Sequence, residues 1–322
     1  LENCLKVTPG AVSSNTSSIA SSGSIIFTNA DDDAQWILPI DISEPRVFLE
    51  KRQLMTVSPY NENLAWLDHS IHVIKFYKPD GQILQFPTSE TWSFIRQWLL
   101  DDKVLIGRLS DNGNSYLPER DDFYVFSTTT ALAESFSITL PNFFPDKTSF
   151  AVYDPALTRV VYPARNFETS RDEIVLRDIQ EGVDLWRQWG WSGLFATPDW
   201  RADGSQVVLT AQPLDSTKDY ISPELFSISP SGHATQLTHL SKYLAGYLIV
   251  NPKWSPDGRF VAFVFVKDST RLNEGRFLYV LDTKTGIVTD YCAPTTWVFY
   301  WSPNSDHIAF ESGTNPQSII VL

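Results

Sequence analysis

The stretch Trp254–Phe263, WSPDGRFVAF, sets a tight polar turn between two apolar runs, and the pattern returns at Trp301–Phe310 as WSPNSDHIAF. A third copy is Trp200–Leu209, WRADGSQVVL. Fainter copies begin at Tyr153-Asp154-Pro155, Asp101-Asp102-Lys103 and Val57-Ser58-Pro59, each leading into an apolar run. Five steps from Pro59 to Pro303 give a period of about 49 residues, close to that of propeller blades. A unit that recurs at this length buries its apolar faces by stacking on copies of itself.

Each copy has one internal order: an apolar strand, the turn, then a second apolar strand. Pro sets the fixed φ and Asp-Gly the positive φ that such turns require. In the copy at Trp254 a third strand follows at Arg276–Asp282, the chain turns at Thr283–Gly286, and a fourth strand starts at Ile287. The second strand, Phe260–Val266 (FVAFVFV), is apolar throughout rather than alternating, so both its faces are buried. Second strands are predicted at 24–28, 63–67, 104–108, 159–163, 206–211, 260–266 and 307–311. The predicted fold is therefore all-β, a single seven-bladed β-propeller domain over 1–322. Its blades span approximately 11–52, 53–90, 91–140, 141–190, 191–243 and 244–294, with 295–322 plus 1–10 as the last. That last blade stops after its third strand, Ser318–Leu322. Cys4–Pro9 resembles the fourth strands elsewhere, such as Ala234–Thr238, so the N-terminal strand is expected to close it and remove an exposed edge.

The run PKWSPDGRFVAFVF followed by FLYVLDTKTG (Pro252–Phe265 and Phe277–Gly286) resembles the TolB-type, WD-repeat-like β-propeller repeat family, whose repeat is also found in the propellers of prolyl oligopeptidase-like enzymes. The match is carried by blades 5 to 7. It implies the propeller architecture, and with it an extracytoplasmic (periplasmic or secreted) protein-binding scaffold. Seven blades depart from the six of TolB itself. Peptidase relatives hold their catalytic triad on a separate α/β domain, for which this chain has no room.

A formal net charge of −13 argues against nucleic acid, whose phosphates demand a basic footprint, and against an anionic membrane surface. No apolar run approaches the roughly 18 residues of a membrane span, so no membrane insertion is expected. Cys4 and Cys292, the only cysteines, lack metal-ligand spacing. They are expected to be unpaired, on outer strands of neighbouring blades that splay apart. Leu1-Glu2-Asn3 is a poor lipobox for Cys4, and a chain that starts at Leu1 reads as processed or trimmed.

Catalytic and metal signals are weak. Gly190-Trp191-Ser192-Gly193-Leu194 has Leu where a nucleophile elbow needs Gly, and no strand-to-helix context. Asp31–Asp33 and Ser110–Asn114 cluster oxygen ligands without the spacing of a calcium loop, and read as solvated tips. His69 and His72 read as turn and strand residues. No cofactor, metal or catalytic residue is assigned.

A binding face is legible instead. Loops between second and third strands share one end of a blade with the segments joining successive blades. Ser110–Asp122, Ala164–Asp172, Gln212–Pro223 and Lys267–Gly275 are predicted as long loops, all in blades 3 to 6. Long loops cost little in closure entropy, but four in one sector favour a shaped site. Trp92, Trp189, Trp191, Tyr243, Tyr247 and Trp297 fall on the joining segments, beside Arg165, Arg171, Arg271 and Arg276. Aromatic and Arg side chains are anchor types of interfaces. Trp200, Trp254 and Trp301 fall at the opposite end, where they are expected to pack between blades. The sequence thus points to a non-catalytic, monomeric scaffold for a protein or peptide partner. Its rival is a propeller-class glycan lyase or hydrolase with carboxylates at the channel mouth.

Overall fold

The structure, a computed structural model, describes residues 12–13, 15–20, 24–28, 35–39, 46–49, 55–60, 63–68, 71–78, 80–88, 93–108, 120–143, 151–169, 171–189, 197–213, 223–267, 275–302, 304–312 and 318–321. The chain divides into two compact units, one of residues 1–8 and 140–297, the other of 9–139 and 298–322.

In the second unit, β1 (Val12–Ser13) precedes the antiparallel sheet β2 (Asn15–Ala20), β3 (Ser24–Thr28), β4 (Gln35–Pro39) and β5 (Arg46–Leu49). The next four-stranded sheet is β6 (Met55–Val57), β7 (Leu64–Asp68), β8 (Val73–Tyr77) and β9 (Ile83–Pro87). A third is β10 (Ser93–Leu99), β11 (Lys103–Arg108), β12 (Arg120–Ser127) and β13 (Ala133–Thr139). In the first unit, β14 (Val152–Tyr153), β15 (Arg159–Asn166), β16 (Arg171–Asp178) and β17 (Asp184–Trp189) form one sheet. The sheet β18 (Asp199–Trp200), β19 (Val207–Ala211), β20 (Glu224–Ile228) and β21 (Ala234–Gln236) follows it. Then come β22 (Leu248–Trp254), β23 (Phe260–Val266), β24 (Arg276–Asp282) and the start of the long β25 (Ile287–Trp301), within which the chain leaves this unit. β26 (Ile308–Ser312) and β27 (Ser318–Val321) pair antiparallel in the second unit. The described neighbour of β27 on its other side is β1, through Val12↔Ile319 and Ser13↔Ser318. Cys4–Pro9, the strand expected there, lies outside the described residues.

The repeated turn has one hydrogen-bond pattern. The N–H of its first residue bonds the carbonyl five residues on in Ser58–Asn63, Asp154–Arg159, Arg201–Gln206, Ser255–Phe260 and Ser302–His307, at 2.8–3.0 Å. Inside four of these loops the N–H of Leu157, Gly204, Gly258 or Ser305 bonds back to the first residue, and each of these four has φ of 57–70°. This is a tight turn closed by one left-handed residue, where Gly is strain-free and Leu or Ser is not. Side chains reinforce it. The Phe260 N–H donates to Ser255 Oγ and the His307 N–H to Ser302 Oγ, while Asp154 accepts from the N–H groups of Thr158 and Arg159.

The core lies between sheets. β19, β20 and β23 are buried along nearly their whole length, as the unbroken apolar run of β23 requires. Trp200 packs with Val161, Ile174 and Leu176 of one sheet and Val207, Leu209 and Phe226 of the next. Trp254 does the same with Val208 and Leu225 on one side and Ile249, Val261 and Phe263 on the other. The Arg201 guanidinium lies over the Trp254 ring at 5.5 Å. In the second unit Phe76 stacks on Phe126, centroids 4.5 Å apart, and meets Trp98 edge-on. The packing expected of Trp200 and Trp254 is what the sheets show.

Two expectations are corrected. Ala164–Asp172 is not a long loop: β15 and β16 stay paired to Asn166↔Arg171, and Phe167–Thr169 form the described turn. The polar residues that read as loop hold each other across the strands, through the Arg165–Asp172 ion pair and the bond from Asn166 Nδ2 to Glu173. Cys292 is not unpaired either. Among the described residues no cysteine is free, and Cys292 is disulfide-bonded; the chain's other cysteine, Cys4, lies outside the described residues. Regular strand geometry fails at this point, because β25 bulges between Tyr279↔Asp290 and Phe277↔Pro294 and Cys292 takes φ 51°. Asp290 holds the bulge, accepting from the Cys292 N–H at 2.6 Å and the Tyr279 hydroxyl at 2.7 Å.

Two outcomes follow from these features. Gly258→Ala forces a side chain into φ +69° and sets its Cβ against the Arg201 guanidinium. Urea unfolding is expected to show a loss of about 1–2 kcal/mol. Cys292→Ser removes the disulfide and is expected to cost about 2–5 kcal/mol. Thiol reductant should lower the melting temperature of the parent chain and leave that of the variant unchanged.

Candidate functional site

Strand direction places the β15–β16, β19–β20 and β23–β24 connections of the first unit at the same sheet ends as its blade-joining segments. The best described joining segment is 237–247, between β21 and β22. It forms a short 3-10 turn at Leu240–Lys242, then carries Tyr243 and Leu244 outward, 83% and 44% exposed. An exposed aromatic next to an exposed Leu needs a firm base to stay presented, and that base is Glu224.

Glu224 opens β20 and is fully buried, in a strand of otherwise buried residues. Its carboxylate accepts from Thr238 Oγ1 at 2.5 Å, the Ser241 N–H at 2.6 Å and the Tyr247 hydroxyl at 3.0 Å. Thr238 Oγ1 in turn accepts from the Leu225 N–H at 2.9 Å, so strand and segment are tied at both ends. A buried carboxylate is tolerable when its acceptor capacity is met by donors, as here. Burial, and after it the adjacent Glu224 carboxylate, raises the Tyr247 hydroxyl well above the ordinary phenol range. Tyr247 therefore stays a neutral donor at any working pH.

Tyr247 is itself buried and stacks on Phe265, centroids 5.1 Å apart. It fixes the segment from below and offers no open surface. Arg276 and Trp297 come together at the end of the neighbouring sheet, the guanidinium 4.6 Å from the ring centroid. The Trp297 carbonyl accepts from Asn251 Nδ2 at 2.8 Å, and Lys267 lies 4.1 Å over the Phe277 ring beside them. Arg165 sits on the paired end of β15 with Asp172, and Arg171 on the strand opposite, next to an exposed Phe167. Trp92, Trp191 and Arg271 lie outside the described residues, as do the side chains of Trp189 and Arg171. So do Asp31–Asp33, Ser110–Asn114, Gly190–Leu194 and His69. His72 is a turn residue at φ 52°, consistent with a turn role.

Glu224, Thr238 and Ser241 were absent from the residues singled out in the sequence. One signal was available: a lone Glu heading the apolar run ELFSI, where a charge has no reason to be unless donors await it. Other buried carboxylates serve local structure, Asp154 its own turn and Asp178 an ion pair with Arg159 at 2.9 Å. Among the described residues no group of His, Cys, Asp and Glu is placed to hold a metal ion, and no helix is long and apolar enough to cross a membrane.

No family model matches the sequence, and no curated protein matches it significantly. Solved structures do match. The β-propeller domain of the Trilobed protease from Pyrococcus furiosus, which has an open velcro topology, superimposes with a TM-score of 0.58 at 14% identity, over 98% of this chain and 93% of that one. The fold is that of a β-propeller. The Myceliophteria thermophila Cps50 (Swd1) propeller domain gives a TM-score of 0.56 at 12% identity, covering 98% and 99% of the two chains. Kuenenia stuttgartiensis hydrazine synthase gives 0.54 at 9% identity, covering 98% and 97%. At such identities the likeness is one of fold, and a fold hosts many functions.

The Glu224 anchor makes a sharp expectation. Glu224→Ala strands two buried hydroxyl donors and one part-buried N–H and is expected to cost about 3 kcal/mol or more, whereas Glu224→Gln, which keeps an acceptor, should cost less than half of that. Thermal melts of the two variants beside the parent chain check both the loss and its order.

Proposed function

We propose that this chain is a seven-bladed, TolB-like propeller, closed by its N-terminal segment, that binds a protein or peptide partner and performs no chemistry on it. The partner docks on the blade ends that carry the joining segments. The observation behind this reading is the Tyr243–Leu244 pair: two large apolar side chains held out in solvent by a segment that a buried carboxylate pins from below. A presented, pre-ordered aromatic loses little freedom on binding and fits the anchor type of interface hot spots. Arg276 stacked on Trp297, and the exposed Phe167, add contacts of the same kind within the same unit. The working compartment is extracytoplasmic, periplasmic or secreted. The Cys292 disulfide supports it, because such bonds persist where thiols are not kept reduced.

The test separates binding from folding. Tyr243→Ala with Leu244→Ser removes the presented pair while leaving Glu224 and its donors in place. Melting is expected to stay within about 1 °C of the parent chain, since exposed substitutions cost little, while partner affinity falls by about 2 kcal/mol or more. A photo-crosslinker at position 243 should join the partner, and one at position 83 on an outer strand should not. Unchanged affinity in the double variant would reject this face.

A further inference from the structure

The outer strand of each sheet is paired on one side and presents main-chain N–H and C=O groups on the other, an edge that soluble proteins blunt by known devices. Here most outer strands carry one. β1 and β21 are only two and three residues long. A bulge interrupts β5, β17 and β25, and β9 ends on Pro87. β13 has none of these. It is seven residues long and pairs with β12 without a break from Phe126↔Ala133 to Arg120↔Thr139. It contains no Pro, Gly or Lys and a single charge, Glu134. All its residues but Ile138 are exposed, including Phe136 at 40%, and Leu132 just before it is 67% exposed. Phe136 is also held in place, its ring stacked 5.8 Å from that of the buried Phe123.

We infer that the outer edge of β13 is an interface between two copies of this chain, joined antiparallel about a two-fold axis. Only one two-fold register pairs all seven residues, the one centred on Phe136. There Phe136 faces Phe136 of the second copy, Ser135 faces Ser137, Ala133 faces Thr139, and Glu134 faces Ile138. No like charges meet, so the strand is complementary to itself. The formal charge of −13 repels a second copy over most of the surface, but physiological salt screens that repulsion beyond about 8 Å. What remains at contact is the near-neutral strand. This inference departs from the monomer expected from the sequence, and it concerns a different surface from the Tyr243 face, so each stands or falls alone.

Analytical ultracentrifugation over a concentration series decides it. The parent chain is expected to form a concentration-dependent dimer. S135E/S137E places acids directly opposite each other in both Ser135–Ser137 pairs, and should weaken the dimer about tenfold or more. S135E/S137K places an acid opposite a base in the same pairs and should dimerise at least as well as the parent. At concentrations low enough to keep all three chains monomeric they should melt alike, because both serines are exposed. A parent chain that stays monomeric throughout overturns the inference, as does a dimer untouched by S135E/S137E. If S135E/S137K is as weak as S135E/S137E, the register centred on Phe136 is wrong.

Discussion

Burial of a strand on both faces is the constraint from which the rest of this fold follows. β23 presents Phe263 and Phe265 to one face and Ala262, Val264 and Val266 to the other, all buried. Such a strand is stable only between two packed surfaces, at roughly 1.5–3 kcal/mol for each large side chain removed from water. β19 is in the same position in the sheet before it. Sheets built around such strands must stack face to face, and Trp200 and Trp254 fill the gaps where two sheets meet. The turn closed by a left-handed residue serves this packing. It brings the first strand back beside the second within a few residues, and so sets the register that puts each Trp between sheets.

Carboxylates drawn into this packing are answered by local donors, as at Asp154, Asp178 and Glu224. Asp199 illustrates it, accepting from Lys253 Nζ at 3.1 Å and the Trp254 N–H at 2.8 Å, so a carboxylate of one sheet caps the end of a strand in the next. Glu224 is the same solution applied to a joining segment. In each case a charged residue gives directional rigidity where apolar packing alone would let a segment slide. The consequence for function is that the exposed Tyr243 stands on a fixed base rather than on a free loop.

Departures from regularity gather on the first and last strands of the sheets, in β2, β10 and β22 as in β5, β17 and β25. The β25 bulge carries the disulfide-bonded Cys292. β13 is regular by contrast. The inner strands, pressed between neighbours, have little freedom to vary. The outer ones are shaped by covalent ties and by what their open sides must avoid or accept.

The repeat was legible because it is written in local chemistry: Pro and Gly at turn positions, and apolar runs long enough to be strands. That information placed β3 and β23 at the residues predicted, and most other second strands within a residue or two at their starts. It also placed Trp200 and Trp254 between sheets. Local chemistry failed where a contact distant in sequence decides the outcome. Arg165, Asn166 and Asp172 read as loop, and became strand because each residue found its partner across the hairpin. Tyr247 read as a rim aromatic like Tyr243, four residues away. A carboxylate 23 residues earlier drew it into the core and left Tyr243 outside. By itself the sequence determined the repeating unit, its turns and its buried strands, because these depend on neighbours along the chain. Only the tertiary structure decided which polar and aromatic side chains are buried and which are presented, because that depends on donors and acceptors brought together by folding.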